Sequence, residues 1–440
     1  MSVICAISTP HGTGGIAVVR VSGPGAVALA ERLVGGKPLD RQLCFRRIDD
    51  LDDVVVSVFR APHSYTGEDV VEISCHGSVY IQEELLRRLI DLGARLAEPG
   101  EFTRRAFVNG RMDLAQAEAV ADLIAAQTRG EKDIALRQMR GSVSGELERL
   151  REKLLTFTSL LELELDFADH EDLVFADRGA LHGLAQEVAQ KLDDLIGSFS
   201  TGQALRNGVQ VAIVGAANAG KSTLLNALLG DERAIVSDIP GTTRDTVEDT
   251  LVIGGILFRL IDTAGIRRTG DPVELMGIQR SRKAVDKADI VVRVIDASAG
   301  HADCGMTDSG GIVDGKHAVI VFNKTDLLAP ADKRQSGGLY LSAKSGNVGV
   351  LKDELVRLAR LLLARQENCG TVVSSVRHYE ALKTARQALG NVISGMDAGL
   401  GSELLALDLH DCLDALGSVT GRITSDEVLG NIFSKFCIGK

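Results

Sequence analysis

The sequence predicts a multidomain protein of mixed α+β and α/β class. A small N-terminal α+β unit is followed by a helical domain, and an α/β nucleotide-binding domain is inserted between the two halves of that helical domain. Three observations predict this. Short β-branched runs alternate with helical spacing up to about residue 112. Apolar residues recur at helical spacing from Asp113 onward and again past Gly370. Between these stretches, a strand, a glycine-rich loop and a helix open a series of strand-like runs. At 440 residues, the chain has room for about three domains. The expected boundaries are 1–112, 113–207, 208–366 and 367–440, the last closing the helical domain begun by the second.

In chain order, Ile16 to Val21 is a β-branched run closed by Gly23-Pro24, and Ala26 to Leu33 reads as a helix. Val54 to Phe59 and Val70 to Ser74 read as strands around a turn region from Pro62 to Gly67. Val79 to Leu92 carries helical spacing. Asp113 with Gln116 three residues on matches a capping box, and Leu114, Ala117, Val120, Ala121 and Ile124 share one face. Amphipathic segments cover 131–165 and 179–198, after which Thr201-Gly202 and Asn207-Gly208 predict a break. Val209 to Val214 is a buried-type strand, and Thr223 to Leu229 begins a helix. Strand-like runs at Leu257–Ile261, Ile290–Ile295, His317–Phe322 and Leu339–Leu341 predict a parallel sheet covered by helices. Helices are expected at 376–390, 403–416 and 425–436, and residues 298–316 read as a surface connection.

Composition excludes several classes. Hydrophobic residues make up 45% and charged residues 25%, as in ordinary globular proteins. No uncharged apolar run approaches the roughly 18 residues of a membrane span. Met1 to Gly15 has no basic start or apolar core, so neither a signal peptide nor a membrane partner is expected, and the expected location is cytoplasmic. The seven cysteines, Cys5, Cys44, Cys75, Cys304, Cys369, Cys412 and Cys437, are scattered and include no Cys-x-x-Cys pair, which predicts neither disulfides nor a zinc site. Cys75 and His76 are adjacent on a strand and so point to opposite faces. A net charge of −11 argues against holding nucleic acid by charge alone.

The central motif is Gly215-Ala216-Ala217-Asn218-Ala219-Gly220-Lys221-Ser222, a phosphate-binding loop between a strand and a helix. Backbone N–H groups from Asn218 to Thr223 close around phosphates at a helix N-terminus. Lys221 reaches the β/γ-phosphates, and Ser222 ligates Mg²⁺. Asp262-Thr263-Ala264-Gly265 follows a strand; Asp262 holds Mg²⁺ through water, and the Gly265 N–H senses the γ-phosphate. Asn323-Lys324-Thr325-Asp326 also follows a strand. Its Asp326 accepts the two donors that guanine presents and adenine lacks, a discrimination worth about 10⁴–10⁵. Ser342-Ala343-Lys344 completes the base pocket. Together the motifs read as a GTPase. A Ras-like enzyme places a water-orienting Gln where this chain has Ile266, so the attacking water must be positioned from elsewhere.

Asn218, with Ser237-Asp238-Ile239-Pro240-Gly241-Thr242-Thr243-Arg244-Asp245, resembles the potassium-activated GTPases of the TrmE–Era group. That resemblance implies a K⁺ ion near the arginine-finger position, held by the Asn218 side chain, the Ser237 and Ile239 carbonyls and Thr242. Thr243 would join Ser222 on Mg²⁺. On residues alone, Asn218 also reads as a loop-stabilising amide.

The flanks narrow the resemblance. Ser64 to Glu72 (SYTGEDVVE), Pro99 to Phe107 (PGEFTRRAF), Asp113 to Ile124 and the ending Leu429 to Lys440 (LGNIFSKFCIGK) are similar to the MnmE (TrmE) family of tRNA modification GTPases, from the first strand to the last residue. The resemblance implies a homodimer joined through N-terminal domains that bind 5,10-methylene- or 5-formyl-tetrahydrofolate. It implies an FAD-dependent partner, GidA (MnmG), in a heterotetramer that acts on the tRNA anticodon region. The product would carry a carboxymethylaminomethyl or aminomethyl group on C5 of the wobble uridine.

By the same match Glu274 is the catalytic acid, and the folate contacts are Arg20, Glu72, Arg111 and Lys440. Cys437 is the reactive thiol. Taken without the family, Glu274 reads as a solvated helix residue and the folate set as surface ion-pair residues. Cys437 then reads as a packed tail cysteine, and prenylation fits poorly because the chain ends in Lys. The sequence departs from the family at Ala216-Ala217, where Arg-Pro is common, and at Ser78, where Gly-Pro is usual. Two other readings stand beside this one: an Era-like switch in ribosome assembly, and a folate-binding scaffold gated by GTP.

Overall fold

The computed structural model describes every residue except 1, 37–38, 40–42, 167–177, 217, 231–248, 262–283, 300–316, 329–337, 365–370, 435 and 440. The chain forms two compact units. One comprises residues 1–124, 137–182 and 387–440, and the other residues 125–136 and 183–386.

The first unit begins with a six-stranded sheet of β1 (Ile4–Ile7), β2 (Ile16–Ser22), β3 (Leu43–Ile48), β4 (Asp52–Phe59), β5 (Val70–His76) and β6 (Arg95–Leu96). The spatial order is β3-β4-β5-β2-β1-β6, antiparallel except for the β1–β6 pair. Strand alternation sorts its faces. Val19, Val21, Val71, Ile73 and Cys75 pack in one core with α1 (Ala26–Leu33) and α2 (Val79–Asp91). Between those residues, Arg20 and Glu72 stand directly opposite each other in the β2–β5 ladder. Cys75 is buried and its neighbour His76 exposed, as strand geometry requires.

Helices α3 (Glu101–Val108) and α4 (Leu114–Ala125) follow. The capping box at the start of α4 is reciprocal. Gln116 N–H donates to Asp113 Oδ1 at 2.9 Å, and Asp113 N–H donates to Gln116 Oε1 at 3.0 Å. Next come α5 (Arg129–Met139) and α6 (Ser142–Asp166), so the long amphipathic stretch is two helices parted at Gly141, whose φ is 85°. Two further helices are α7 (Arg178–Gly197) and α8 (Phe199–Asn207). The predicted break at Thr201-Gly202 is not there, since both lie inside α8. Gly202 serves a close approach instead: a Cβ on it would sit 2.0 Å from the Val373 carbonyl oxygen. The real stop is Gly208, at φ 83°.

The second sheet contains β7 (Val209–Val214), β8 (Asp249–Ile253), β9 (Ile256–Ile261), β10 (Ile290–Asp296), β11 (His317–Asn323) and β12 (Leu339–Tyr340), in the order β12-β11-β10-β7-β9-β8. It is parallel apart from β8, which the sequence reading missed. That strand returns antiparallel on β9 through Gly254-Gly255, both with positive φ, as a two-residue hairpin turn demands. One core joins Val211, Ile213, Phe258, Leu260, Val292 and Val294 to Leu224 and Leu228 of α9 (Lys221–Leu229) and to Leu351 and Leu355 of α10 (Gly349–Ala364). The remaining helices are α11 (Val376–Asp397), α12 (Ser402–Thr420), which packs along α6, and α13 (Asp426–Phe433), which packs on α3. Among the described residues no helix is long and apolar enough to cross a membrane.

Candidate functional site

The carboxyl ends of parallel strands are where open α/β sheets bind ligands, and there the second unit gathers its motifs. The phosphate loop leaves the end of β7, and Asn323 is the last residue of β11. Gly215 is needed because a Cβ would lie 2.2 Å from the Val294 carbonyl oxygen. Asn218 takes φ 63°, a conformation that Asn tolerates better than most residues, and its side chain is exposed. Lys221 donates from Nζ to the Gly215 and Ala216 carbonyls, each at 2.7 Å, and burial pushes its pKa down. Ser222 and Thr223 stand in the first turn of α9, behind the left-handed cap Gly220.

Asn323 ties the site together. It is 2% exposed; its Nδ2 donates to the Ala219 carbonyl at 3.0 Å, and its Oδ1 accepts from the Ala343 N–H at 3.0 Å. A Cβ on Gly220 would come within 2.2 Å of that Nδ2, so only glycine lets the amide approach the loop. Asp326 accepts from the Ser342 hydroxyl at 2.6 Å, and that bond, the largest cause, holds its carboxyl below the usual range. Ser342 and Ala343 are buried and Lys344 is exposed. The structure therefore brings Ala219, Asn323, Asp326, Ser342 and Ala343 into one bonded assembly. Ala217, the 237–243 segment, Asp262 to Gly265 and Glu274 lie outside the described residues.

Sequence reasoning missed Asp296. It ends β10 directly beside Asn323 in the parallel ladder and pairs with the Lys324 ammonium. Burial alone would raise its pKa, but Lys324 and the Ser298 hydroxyl and N–H outweigh burial and keep it low. The available signal was an Asp ending a strand of the same sheet.

A second cluster lies on the first sheet. Arg20 donates from Nε to Glu72 Oε1 at 2.9 Å, and its Nη2 lies 2.7 Å from the same oxygen. The guanidinium sits 5.3 Å from the Tyr65 ring centroid and 5.7 Å from that of Phe102, within cation–π range. Burial raises the pKa of Tyr65, whose hydroxyl lies 2.9 Å from Thr103 Oγ1. Arg111 is exposed and packs against Gly67, in the turn that presents Tyr65. Cys437 is exposed, and Lys440 lies outside the described residues.

Sequence reasoning also missed the buried ion network near this pair. Arg105 Nη1 donates to Glu68 at 2.9 Å, its Nη2 donates to Glu101 at 3.0 Å, and Arg95 Nη1 donates to Glu101 at 2.8 Å.

Comparison with known proteins gives one answer along the whole chain. Residues 3–111 match the family model described as the GTP-binding protein TrmE N-terminus, and residues 114–437 match the MnmE helical domain. The tRNA modification GTPase MnmE of Parabacteroides distasonis is 48% identical over 463 aligned residues, covering 100% of both chains. That of Bacteroides thetaiotaomicron is 47% identical, covering 99% of each. Among solved structures, Era bound to MgGDPNP and a 16S ribosomal RNA fragment is 26% identical, covering 41% of this chain and 66% of that one, with a TM-score of 0.26.

Proposed function

This chain belongs to the MnmE family of tRNA modification GTPases, a GTP-binding hydrolase of tRNA modification, and from that premise we propose a specific course for its chemistry. GTP binds with its phosphates over residues 218–223 and its base against Asp326, Ser342 and Lys344. Ser222 and Thr243 hold Mg²⁺, with Asp262 acting through water. Asn218, Ser237, Ile239 and Thr242 hold K⁺, which supplies positive charge where the transferring phosphoryl group develops its negative charge. Glu274 orients the attacking water.

For K⁺ the supporting observation is Asn218. Its carboxamide is exposed on the phosphate loop with no hydrogen-bond partner among the described residues, and an all-oxygen donor set suits a hard cation. The test is GTP turnover in K⁺ against Na⁺ at equal ionic strength. Turnover at least about tenfold faster in K⁺ is expected, given what a charge at that position is worth. Equal rates would remove the potassium assignment.

The first unit binds a one-carbon tetrahydrofolate through Arg20, Glu72, Arg111 and Lys440. Both Arg20 contacts fall on Glu72 Oε1, which leaves Oε2 for a pterin N–H. The protein works as a homodimer in the cytoplasm with the FAD-dependent GidA (MnmG). It installs the carboxymethylaminomethyl or aminomethyl group on C5 of the wobble uridine, with Cys437 as the reactive thiol. Membership along the whole chain favours this over an Era-like assembly switch. Mass spectrometry of tRNA nucleosides from a deletion strain should show the wobble modification lost, restored by the wild-type gene and not by Cys437→Ser. Intact modification in the deletion strain would end this reading.

A further inference from the structure

The C-terminal tail is fastened to the first unit at two points, one on each side of Cys437. Upstream, Phe433 and Phe436 are buried in a cluster with Leu114 and Ala117. Gly100, at φ 66°, lets them in: a Cβ there would lie 2.7 Å from the Phe433 carbonyl oxygen. Downstream, Gly439 is buried at φ 98°, and its carbonyl accepts a hydrogen bond from Ser8 Oγ at 3.2 Å. A Cβ on Gly439 would stand 2.3 Å from the Ile7 carbonyl oxygen, a backbone atom that cannot swing aside. Cys437 and Ile438 lie exposed between these fastenings. Ile7 ends β1, and its neighbour Ala6 is paired in the ladder with Arg20.

We propose that Gly439 and Ser8 form a latch that seats the chain end against β1, making Gly439 a positioning residue for the tail segment used in tRNA modification. The proposal rests on the reading of Cys437 and the Arg20–Glu72 pair given above. A peptide fastened at one end only sweeps through many conformations; a second fastening three residues on confines the exposed pair to a narrow arc. Misplacing a reacting group by about 1 Å can cost on the order of 100-fold in rate. Gly439→Ala introduces both a backbone clash and a left-handed φ that alanine resists. Gly439 belongs to none of the apolar clusters described above, so the substitution leaves those cores untouched.

The test uses the full-length chain. In Gly439→Ala, hydrogen exchange of a peptide covering 434–440 should be several-fold faster, and wobble modification in a complemented deletion strain should fall at least about tenfold. GTP turnover and the melting profile should stay at wild-type values. Ser8→Ala, which removes one hydrogen bond and adds no clash, should give a smaller change in the same direction. Unchanged exchange in Gly439→Ala would overturn the latch, and faster exchange with full modification would overturn its positioning role. Cys437→Ser is the separate control. Full modification in that variant would sink the thiol reading while the exchange measurement still judged the latch.

Discussion

Replacing Asp326 with Asn is expected to lower GTP affinity by about 10³-fold and to create a preference for xanthosine triphosphate, because a site built on specific hydrogen bonds rejects a base that mismatches them. Ionised Asp326 offers only acceptors, matching the two N–H donors on the guanine edge. Its ionisation is secured locally, since the Ser342 hydroxyl donates to it at 2.6 Å and holds its pKa down. An asparagine amide offers one acceptor and one donor. That pattern suits a base with one N–H and a carbonyl at C2, which is xanthine. The scaffold survives the change, since Asn323 makes the bonds between the phosphate loop and Ala343. Fluorescence titration with both nucleotides separates the cases. A variant that still prefers GTP would show that base selection lies elsewhere. Equal loss of both nucleotides would mark Asp326 as a support of the loop.

Much of this was legible because the sequence carries local signals whose physics is local. The Asp113–Gln116 capping box and the strand that opens at Val209 need only a few neighbouring residues to be recognised. Gly202 and β8 show where that reading fails. A glycine in a polar stretch suggests a turn, but Gly202 answers to the Val373 carbonyl, 171 positions away in the chain. Only the packed fold reveals that contact. The β8 hairpin was missed although Gly254-Gly255 is a recognised hairpin signal, since repeated strand-and-helix alternation argued for parallel pairing throughout. At the site, the motif residues were readable one by one. The bond from Asn323 to Ala219, and the support that Asp296 gives Lys324, join segments that only sheet registration brings together. The ionic network around Glu101 was invisible for the same reason, since Glu68, Arg95, Glu101 and Arg105 look like ordinary surface charges in the sequence.

That network carries the largest expected effect on stability. Glu101 is 2% exposed and receives Arg95, Arg105 and the Glu98 N–H. Burial alone would raise its pKa, but these donors outweigh it and hold the carboxyl at about 2. Glu101→Gln removes the negative charge and leaves the Arg105 guanidinium, 4% exposed, with Glu68 as its remaining carboxylate partner. Breaking a buried pair from one side costs roughly 3–5 kcal/mol, which should lower the melting transition of the first unit by about 10 °C near neutral pH.

The pH dependence fixes the cause. A carboxyl whose folded pKa lies below its unfolded value of about 4.3 stabilises fully above that value. The contribution is lost as pH falls toward about 2. The gap between wild type and Glu101→Gln should therefore be constant above about pH 5 and close as the medium is acidified through that window. Glutamine is nearly isosteric, so a gap that stays constant down to pH 2 would assign the loss to packing and reject the charge account. The consequence extends beyond stability, because Arg105 also binds the Ser2 carbonyl and Glu68, which follows the turn that presents Tyr65 to Arg20. If the first unit binds tetrahydrofolate as proposed, loosening Glu101 should weaken that binding while GTP turnover in the second unit is spared. A variant that melts early yet binds folate at wild-type affinity would separate the network from the proposed folate site.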